Sequence, residues 1–240
     1  MAGMEGSILL GAAIFGQQVW HYWKPRKIGI YGSTQVGKTT LDRYMTTPGE
    51  MEEIPENERT RHIKKLIGND YALPNPTRKR VKYEGEKRVV HSSDVGGEKE
   101  FWSLWIDDMV DRQVEGVMYM YDDRCKNGGN AALQSIAGFE YLVDTIIKRQ
   151  YRYRRLRTRF KGKRYAPKFI WLVANKADRW WDNEADVLWQ QQRLREHKIF
   201  DAFRPAMIRL QKSGIVCRVS MMSTRIGWNV ERTMFLMLKE

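Results

Sequence analysis

The sequence predicts an α/β fold with a mainly parallel six-stranded sheet, one antiparallel edge hairpin and helices on both faces. Short β-branched or apolar runs alternate with longer helical patterns, which is typical of parallel strands joined by helices. The exception is a pair of runs separated by Glu84, Gly85 and Glu86, a sequence typical of a hairpin turn, so we expect that pair to be antiparallel. The chain has 240 residues, 42% of them hydrophobic, which is enough for one full-sized core.

Each element follows from its own pattern. Six short runs rich in apolar or β-branched residues are the predicted strands: residues 28–31, 78–84, 87–93, 116–121, 168–174 and 215–219. Five longer segments have helical spacing, and the predicted helices are residues 38–45, 99–114, 131–149, 185–211 with a break near Pro205, and 229–239. We therefore expect one domain over residues 25–240, preceded by a separate N-terminal segment.

The first strand leads into the strongest chemical signal. Residues 32–39 read Gly-Ser-Thr-Gln-Val-Gly-Lys-Thr and match the P-loop pattern G-x-x-x-x-G-K-[ST] between a predicted strand and a predicted helix. Glycines let successive backbone N–H groups point at phosphate oxygens, and the N-terminus of the next helix adds a partial positive charge. The candidate phosphate-binding residues are Gly32, Ser33, Thr34, Gln35, Val36, Gly37, Lys38, Thr39 and Thr40. Lys38 would hold the β- and γ-phosphates, and Thr39 would bind Mg²⁺, so the predicted fold is that of a P-loop NTPase.

A second motif selects the base. Asn175, Lys176, Ala177 and Asp178 follow a predicted apolar strand. The carboxylate of Asp178 can accept from guanine N1–H and N2–H₂ together, whereas adenine has an acceptor at N1 and no 2-amino group. We therefore expect guanine rather than adenine.

A third motif also lies at a predicted strand end. Asp94, Val95, Gly96 and Gly97 follow the hairpin. An acidic residue there can reach Mg²⁺ through water, and a glycine N–H can contact the γ-phosphate. All three motifs are expected at one edge of the sheet.

These motifs in this order resemble the Ras-like small GTPase superfamily. The Asp-Val-Gly-Gly sequence is similar to the Arf-like and signal-recognition-particle-receptor-β-like branch, with heterotrimeric G-protein α subunits more distant. The resemblance covers residues 27–239 in element order. It implies GTP or GDP with Mg²⁺ as cofactors and an effector or regulatory protein that reads the switch regions.

The resemblance assigns a switch threonine. Pro76 and Thr77 match the family's switch-one Pro-Thr, because a hairpin of suitable length then leads to Asp94. Thr77, Thr39 and Asp94 are thus the candidate metal-binding residues. Thr60 is the alternative, since it lies closer to the usual distance from the P-loop, although this choice leaves a long gap before the hairpin. The Thr77 assignment implies an insertion near residues 48–73.

Two further positions depart from the family pattern. Ser220 and Met221 resemble its final guanine-contacting loop, with only the backbone role carried over.

Where the family usually has a glutamine that orients the attacking water, this sequence has Glu98. An ionised Glu can only accept hydrogen bonds and faces the γ-phosphate charge. We expect slow hydrolysis, with Lys38, Thr77, Gly97 and Glu98 as candidate catalytic residues. The alternative for Glu98 is a solvated residue that favours the helix N-terminus.

An arginine can accelerate hydrolysis in this chemistry, by roughly 10³–10⁵ when a partner supplies it. The G-protein α subunits carry an arginine of their own at the position three residues before the switch threonine. In this sequence that position is Pro74. We therefore expect any such arginine to come from a partner protein.

The net charge of +13 predicts an anionic partner. Residues 148–168 contain eleven Lys or Arg and no Asp or Glu. Three interpretations stay open: a solvated extension of helix and loop, an anionic membrane surface, and nucleic acid stacked on aromatic residues between the arginines. The solvated extension is favoured, because charge runs are usually exposed, and of the two binding interpretations the membrane is preferred to nucleic acid. The aromatic residues are Tyr151, Tyr153, Phe160 and Tyr165.

Residues 1–24 combine an apolar run with Trp20, Tyr22 and Trp23. Aromatic residues before basic ones are typical of a membrane interface, but a helix over residues 8–23 would be roughly 24 Å long, short of a hydrocarbon core of about 30 Å. An amphipathic or membrane-anchoring helix and a helix packed on its own domain are both open. Cys125 and Cys217 have neither metal-ligand spacing nor disulfide density, which favours a cytoplasmic protein, free or held on the cytosolic face of a membrane.

One leading function and two alternatives follow from these patterns. The first is a GTP-binding molecular switch that hydrolyses GTP slowly with Mg²⁺. The alternatives are a GTP-binding scaffold or assembly subunit with little turnover, and a GTPase associated with nucleic acid through residues 148–168.

Overall fold

The computed structural model describes residues 26–46, 77–92, 95–126, 129–156 and 166–240. Within these residues six strands form one mixed sheet in the order β2-β3-β1-β4-β5-β6. β2 is antiparallel to β3, and every other neighbouring pair is parallel. The strands are β1 (Arg26–Gly32), β2 (Thr77–Tyr83), β3 (Glu86–Ser92), β4 (Gly116–Tyr121), β5 (Phe169–Ala174) and β6 (Val216–Met221). The predicted sheet and its antiparallel edge hairpin are confirmed.

Helices connect the parallel strands. They are α1 (Lys38–Thr46), α2 (Trp102–Arg112), α3 (Asn130–Leu156), α4 (Ala177–Trp180), α5 (Asn183–Gln190), α6 (Arg204–Lys212) and α7 (Val230–Lys239). Short 3₁₀ turns occupy Lys99–Phe101, Asp123–Lys126, Leu194–Glu196 and Lys198–Phe203. The chain is therefore α/β with helices between parallel strands, as the alternating pattern predicts.

Burial along the strands explains their order in the sheet. Every residue of β4 and β5 is buried, as expected for central parallel strands that helices cover on both faces. β6 lies at the edge, and its first four residues alternate between exposed and half-buried positions. The hydrophobic runs therefore sit in the centre and the alternating run at the border.

Successive residues of a strand contribute their side chains to two separate hydrophobic cores, one on each face of the sheet. Tyr119 and Leu172 point to the side where α2, α3 and α6 pack. Met118 and Val173, one position away on the same strands, point to the side where α1 and α7 pack. Because side chains alternate along a strand, these two clusters show that helices cover both faces of the sheet, as predicted.

The predicted long helix over residues 185–211 is wrong. α5 ends at Gln190, and Gln192 has a left-handed φ of 58°, which continues no helix. Two 3₁₀ turns follow, and Pro205 lies in the first turn of α6. Proline suits that position because the first N–H groups of a helix have no intrahelical acceptor. Pro205 therefore marks a helix start rather than an internal break.

Several predictions fall outside the described residues. These are the N-terminal segment over residues 1–24, the insertion over residues 48–73 with Thr60, the switch residue Pro76, the acidic residue Asp94, and residues 157–165 of the basic segment. Of the helices within the described ranges, none combines the length and the apolar composition needed to cross a membrane.

Candidate nucleotide-binding site

The carboxyl ends of four parallel strands define the site. The glycine loop (residues 32–39) leaves β1, the β4 turn (residues 122–126) leaves β4, the β5 loop (residues 175–178) leaves β5, and the β6 loop (residues 222–225) leaves β6. Parallel strands bring such segments to one edge of the sheet, where ligands bind in open α/β folds.

The glycine loop adopts a conformation that few side chains tolerate. Gly32 has a φ of 146° and Gly37 a φ of 97°. A Cβ atom at Gly32 would collide with the carbonyl of Met120 on β4, and one at Gly37 would collide with the side-chain amide of Asn175. These glycines let the loop curl tightly against the carboxyl end of β4 and against the loop that follows β5.

Lys38 folds back over this loop. Its Nζ donates to the carbonyls of Gly32 at 2.9 Å and Ser33 at 2.8 Å, and the residue is only 7% exposed. A buried ammonium group needs polar partners, and the curled backbone supplies them. Thr39 and Thr40 are half-buried in the first turn of α1, so the loop ends in a lysine and two hydroxyl groups beside a helix N-terminus.

Asn175 joins three of the four segments. Its Nδ2 donates to the carbonyl of Val36 at 2.7 Å and to Thr224 Oγ1 at 3.0 Å. Its Oδ1 accepts from the backbone N–H of Thr224 at 3.0 Å. The side chain is wholly buried, and this one amide contacts the glycine loop, the β5 loop and the β6 loop.

The next residue of the β5 loop reaches the β4 turn. Lys176 has a left-handed φ of 57° and donates from Nζ to Asp122 Oδ2 at 2.6 Å. Asp122, whose side chain is 1% exposed, also accepts from Arg124 Nε at 2.9 and 3.0 Å. Arg124 Nη2 in turn donates to the carbonyl of Thr34 at 2.8 Å. This chain of charged contacts links the β5 loop to the glycine loop.

Sequence reasoning missed Asp122 and Arg124. They belong to no motif, but both follow β4, which was predicted with the observed bounds. The rule that ligands bind at strand carboxyl ends was the signal that could have found them.

Asp178 lies exposed in the first turn of α4 and accepts from the hydroxyl of Ser223. The structure thus brings Ser223 and Thr224 of the β6 loop to the predicted base-reading residues. It does not bring Ser220 and Met221 there.

Ser220 and Met221 lie inside β6. The hydroxyl of Ser220 is 2.8 Å from that of Thr233 on α7, and the carbonyl of Met221 accepts from Asn229 at 2.6 Å. The predicted strand ended two residues early, at residue 219, so the predicted loop began too soon in the chain. The residues that contact the β5 loop lie further along the chain.

Gly97 packs directly on the glycine loop. A Cβ atom on Gly97 would collide with the backbone of Gly32, Ser33 and Thr34, so the absence of a side chain permits this contact. Glu98 is half-buried and precedes the 3₁₀ turn Lys99–Phe101, with no side-chain capping bond. The predicted γ-phosphate segment therefore lies against the predicted phosphate loop.

The hairpin begins beside the first half of β1. Thr77, the first residue of β2, is paired in register with Ser92, the last residue of β3. β3 runs parallel to β1 with Val90 beside Arg26 and His91 beside Lys27, so the backbone of Thr77 lies level with the start of β1 and not with the glycine loop at its end.

One buried hydroxyl at the site has no internal partner. Thr34 Oγ1 makes no hydrogen bond to any described residue, although burial of an unpaired hydroxyl is unfavourable. The same glycine loop contacts the Lys38 ammonium through Ser33 and Arg124 through the Thr34 carbonyl, and it leads into the N-terminus of α1. Positive groups beside an unpaired hydroxyl fit an anionic ligand such as a phosphate chain. Among the predicted metal-binding residues, Thr39 is at the loop itself.

A second polar cluster contains Asp182, Glu184 and His197, whose ligand atoms lie within 4.8 Å of one another. His197 Nδ1 accepts from the backbone N–H of Ile199 at 3.3 Å. The proton of a neutral imidazole is then on Nε2, 3.4 Å from Asp182 Oδ1. Desolvation raises the pKa of Asp182, but the hydrogen bond from the Ala185 N–H and the contacts with Lys198 and His197 lower that pKa overall. The arrangement is that of a salt-bridged helix cap, because Asp182 also caps α5.

Comparison with known proteins gave no match, either to a protein-family model or to a curated protein. The function is therefore argued from the residues of the site.

Proposed function

We propose that this protein is a GTP-binding molecular switch of the small GTPase type that hydrolyses GTP slowly with Mg²⁺. The observation that carries the proposal is the side chain of Asn175. It bonds to the glycine loop through Val36 and to the β6 loop through Thr224, so a predicted phosphate site and a predicted base site have a fixed spacing.

Guanine recognition is assigned to Asp178. Its carboxylate is exposed beside Ser223 and can accept from N1–H and N2–H₂ of the base. Backbone N–H groups of the β6 loop, rather than those of Ser220 and Met221, are the proposed donors to the base O6. The N–H groups of Met222, Ser223 and Thr224 already donate to Ala174, Trp228 and Asn175, so a bond to the base O6 would replace one of these bonds.

Phosphate binding is assigned to the glycine loop. Bound GTP would draw Lys38 Nζ away from the two loop carbonyls towards the β- and γ-phosphates, an exchange of neutral acceptors for charged ones that favours the nucleotide. Thr39, Thr77 and Asp94 are the proposed Mg²⁺-binding groups, and Mg²⁺ would neutralise charge on the phosphates.

The switch is assigned to Gly97. This residue touches the backbone of Ser33 and Thr34, so a γ-phosphate beside the loop and the segment from Gly97 onwards compete for the same space. We expect GTP and GDP to leave this segment in different positions, which an effector can distinguish.

The first experiment measures nucleotide specificity. The full chain is titrated with fluorescent GTP, with unlabelled GTP, GDP and ATP as competitors. GTP and GDP should compete and ATP should not. Lys38→Ala should lose binding, while Lys212→Ala, which removes an exposed lysine on α6, should keep it. Equal competition by ATP would remove the guanine assignment.

The second experiment measures turnover. Glu98→Gln should raise the single-turnover rate of GTP hydrolysis, because glutamine can both donate to and accept from the attacking water. If the rate is unchanged and near zero in both proteins, the alternative function as a GTP-binding scaffold replaces the switch.

The membrane assignment has its own test. We propose that residues 1–24 and the basic residues 148–168 hold the protein on an anionic membrane surface. Flotation with phosphatidylserine vesicles should recover the protein in a salt-dependent way, whereas a gel shift with RNA but no flotation would favour the nucleic-acid alternative.

A further inference from the structure

Arg124 lies at the glycine loop although no motif predicts it. Its Nε is bonded to Asp122, its Nη2 to the carbonyl of Thr34 at 2.8 Å, and its Nη1 lies 3.4 Å from Gln35 Oε1. The side chain is 34% exposed. Each terminal nitrogen of a guanidinium carries two N–H groups, so each keeps a second donor beside the loop.

Two cations share one carboxylate beside the glycine loop. The single carboxylate of Asp122 serves Lys176 and Arg124. The neighbouring Asp123 makes no ion pair among the described residues, and its Oδ1 has no hydrogen-bond partner there. Asp122 thus orients Arg124 without using its terminal nitrogens, which can bind an anion beside the loop.

Thr34 connects this charge with the proposed γ-phosphate position. Gly97 packs against its backbone on one side, and Arg124 bonds to its carbonyl on another. A phosphate group that accepts from the N–H of Gly97 would therefore lie beside Thr34, the residue whose carbonyl the guanidinium of Arg124 contacts.

We propose that Arg124 is a phosphate-binding residue that supplies, from within the chain, an arginine to the terminal phosphates of the nucleotide. This inference rests on the proposed function, which it extends. Asp122 orients the guanidinium through Nε, and the terminal nitrogens exchange Gln35 and the Thr34 carbonyl for phosphate oxygens. Arginine suits the role because its donors point in several fixed directions within one plane, so that Nε can bind a carboxylate while the terminal nitrogens bind a phosphate.

The matched control is Arg204. It donates from Nε to Asp201 at 2.9 Å and from Nη2 to the carbonyl of Glu196 at 2.7 Å. It therefore has the same pair of partners, a carboxylate and a carbonyl, at the start of α6 rather than at the glycine loop. Arg204→Ala reports the effect of losing such an arginine on stability alone.

The test measures the affinity of the full chain for GTP, GDP and GMP with Mg²⁺ in wild type, Arg124→Ala, Arg124→Lys and Arg204→Ala. We expect Arg124→Ala to lower the affinity for GTP at least tenfold, the affinity for GDP by less, and the affinity for GMP by under twofold. Arg124→Lys should show an intermediate loss of affinity. Arg204→Ala should leave all three affinities unchanged. An equal loss for all three nucleotides, or no loss, would overturn the proposal.

A second measurement separates this proposal from the assignment of guanine. Pyrophosphate should raise the melting temperature of the wild type and of Arg204→Ala, and raise that of Arg124→Ala much less. If GTP fails to bind but this difference is present, the guanine assignment is wrong and the phosphate role of Arg124 stands. If pyrophosphate stabilises all three proteins equally, Arg124 only braces the loop.

Discussion

The side-chain amide of Asn175 donates to the backbone carbonyl of Val36 at 2.7 Å, across 139 positions of sequence. Both groups are buried. This bond fixes the end of β5 against the loop that follows β1, although the two strands are separated in the sheet by β4. The geometry of the candidate site therefore depends on the side chain of Asn175, one of the predicted nucleotide-binding residues.

Asn175→Ala should lower both stability and nucleotide affinity. The substitution leaves the Val36 carbonyl and the Thr224 N–H buried without a partner, which costs about 2–4 kcal/mol in the free energy of unfolding. Chemical denaturation measures the loss. Thr224→Ala is the control, because it removes one hydroxyl bond and keeps the other two bonds of Asn175, at a cost of about 1 kcal/mol. Equal effects of the two substitutions would contradict this account.

Gly97→Ala should separate Gly97 from the glycine loop. The added methyl group has no room against the backbone of Ser33 and Thr34, so the fold should lose about 1–3 kcal/mol. GTP binding should weaken more than GDP binding, because the γ-phosphate is the group assigned to this contact. Gly129→Ala has open space around the new methyl group and should change neither quantity. A stable Gly97→Ala protein with unchanged GTP affinity would remove Gly97 from the switch.

The two cysteines should react slowly in the folded protein. Burial raises the pKa of the Cys125 and Cys217 thiols to about 11, from an ordinary 9.0. The thiolate is the reactive form, so alkylation at pH 8 should be about a hundredfold slower than in the unfolded chain. Between pH 8 and pH 10 the native rate should rise about tenfold per pH unit. Alkylation quenched at timed intervals and followed by mass spectrometry measures the rate and its pH dependence. Rapid labelling at pH 8 would show that the thiols are not buried.

Most of the sheet follows from sequence because its strands differ in burial. β4 and β5 are uninterrupted apolar runs, and the hairpin has a turn sequence between β2 and β3. The region between α5 and α6 was not predictable in the same way. Its apolar residues keep a helical spacing, but a left-handed Gln192 and a proline at the start of α6 interrupt the helix.

The site shows the same contrast. Lys38, Asn175 and Asp178 could be proposed from the sequence because spacing and chemistry are both visible in their motifs. Asp122 and Arg124 could not, because their place beside the glycine loop comes from contacts with Lys176 and Thr34, residues far away in sequence. Local patterns identify the groups of a site, but only the fold shows which charges face each other.

The guanine assignment is the central claim, and Asp178→Asn tests it most directly. An asparagine replaces one acceptor oxygen with an N–H donor, which opposes the N2–H₂ group of guanine and matches the C2 carbonyl of xanthine. We predict that Asp178→Asn lowers the affinity for GTP at least tenfold and raises the affinity for xanthosine triphosphate. Competition with the same fluorescent nucleotide measures both affinities. Retained GTP affinity with no gain for xanthosine triphosphate would contradict the assignment of Asp178 to the base.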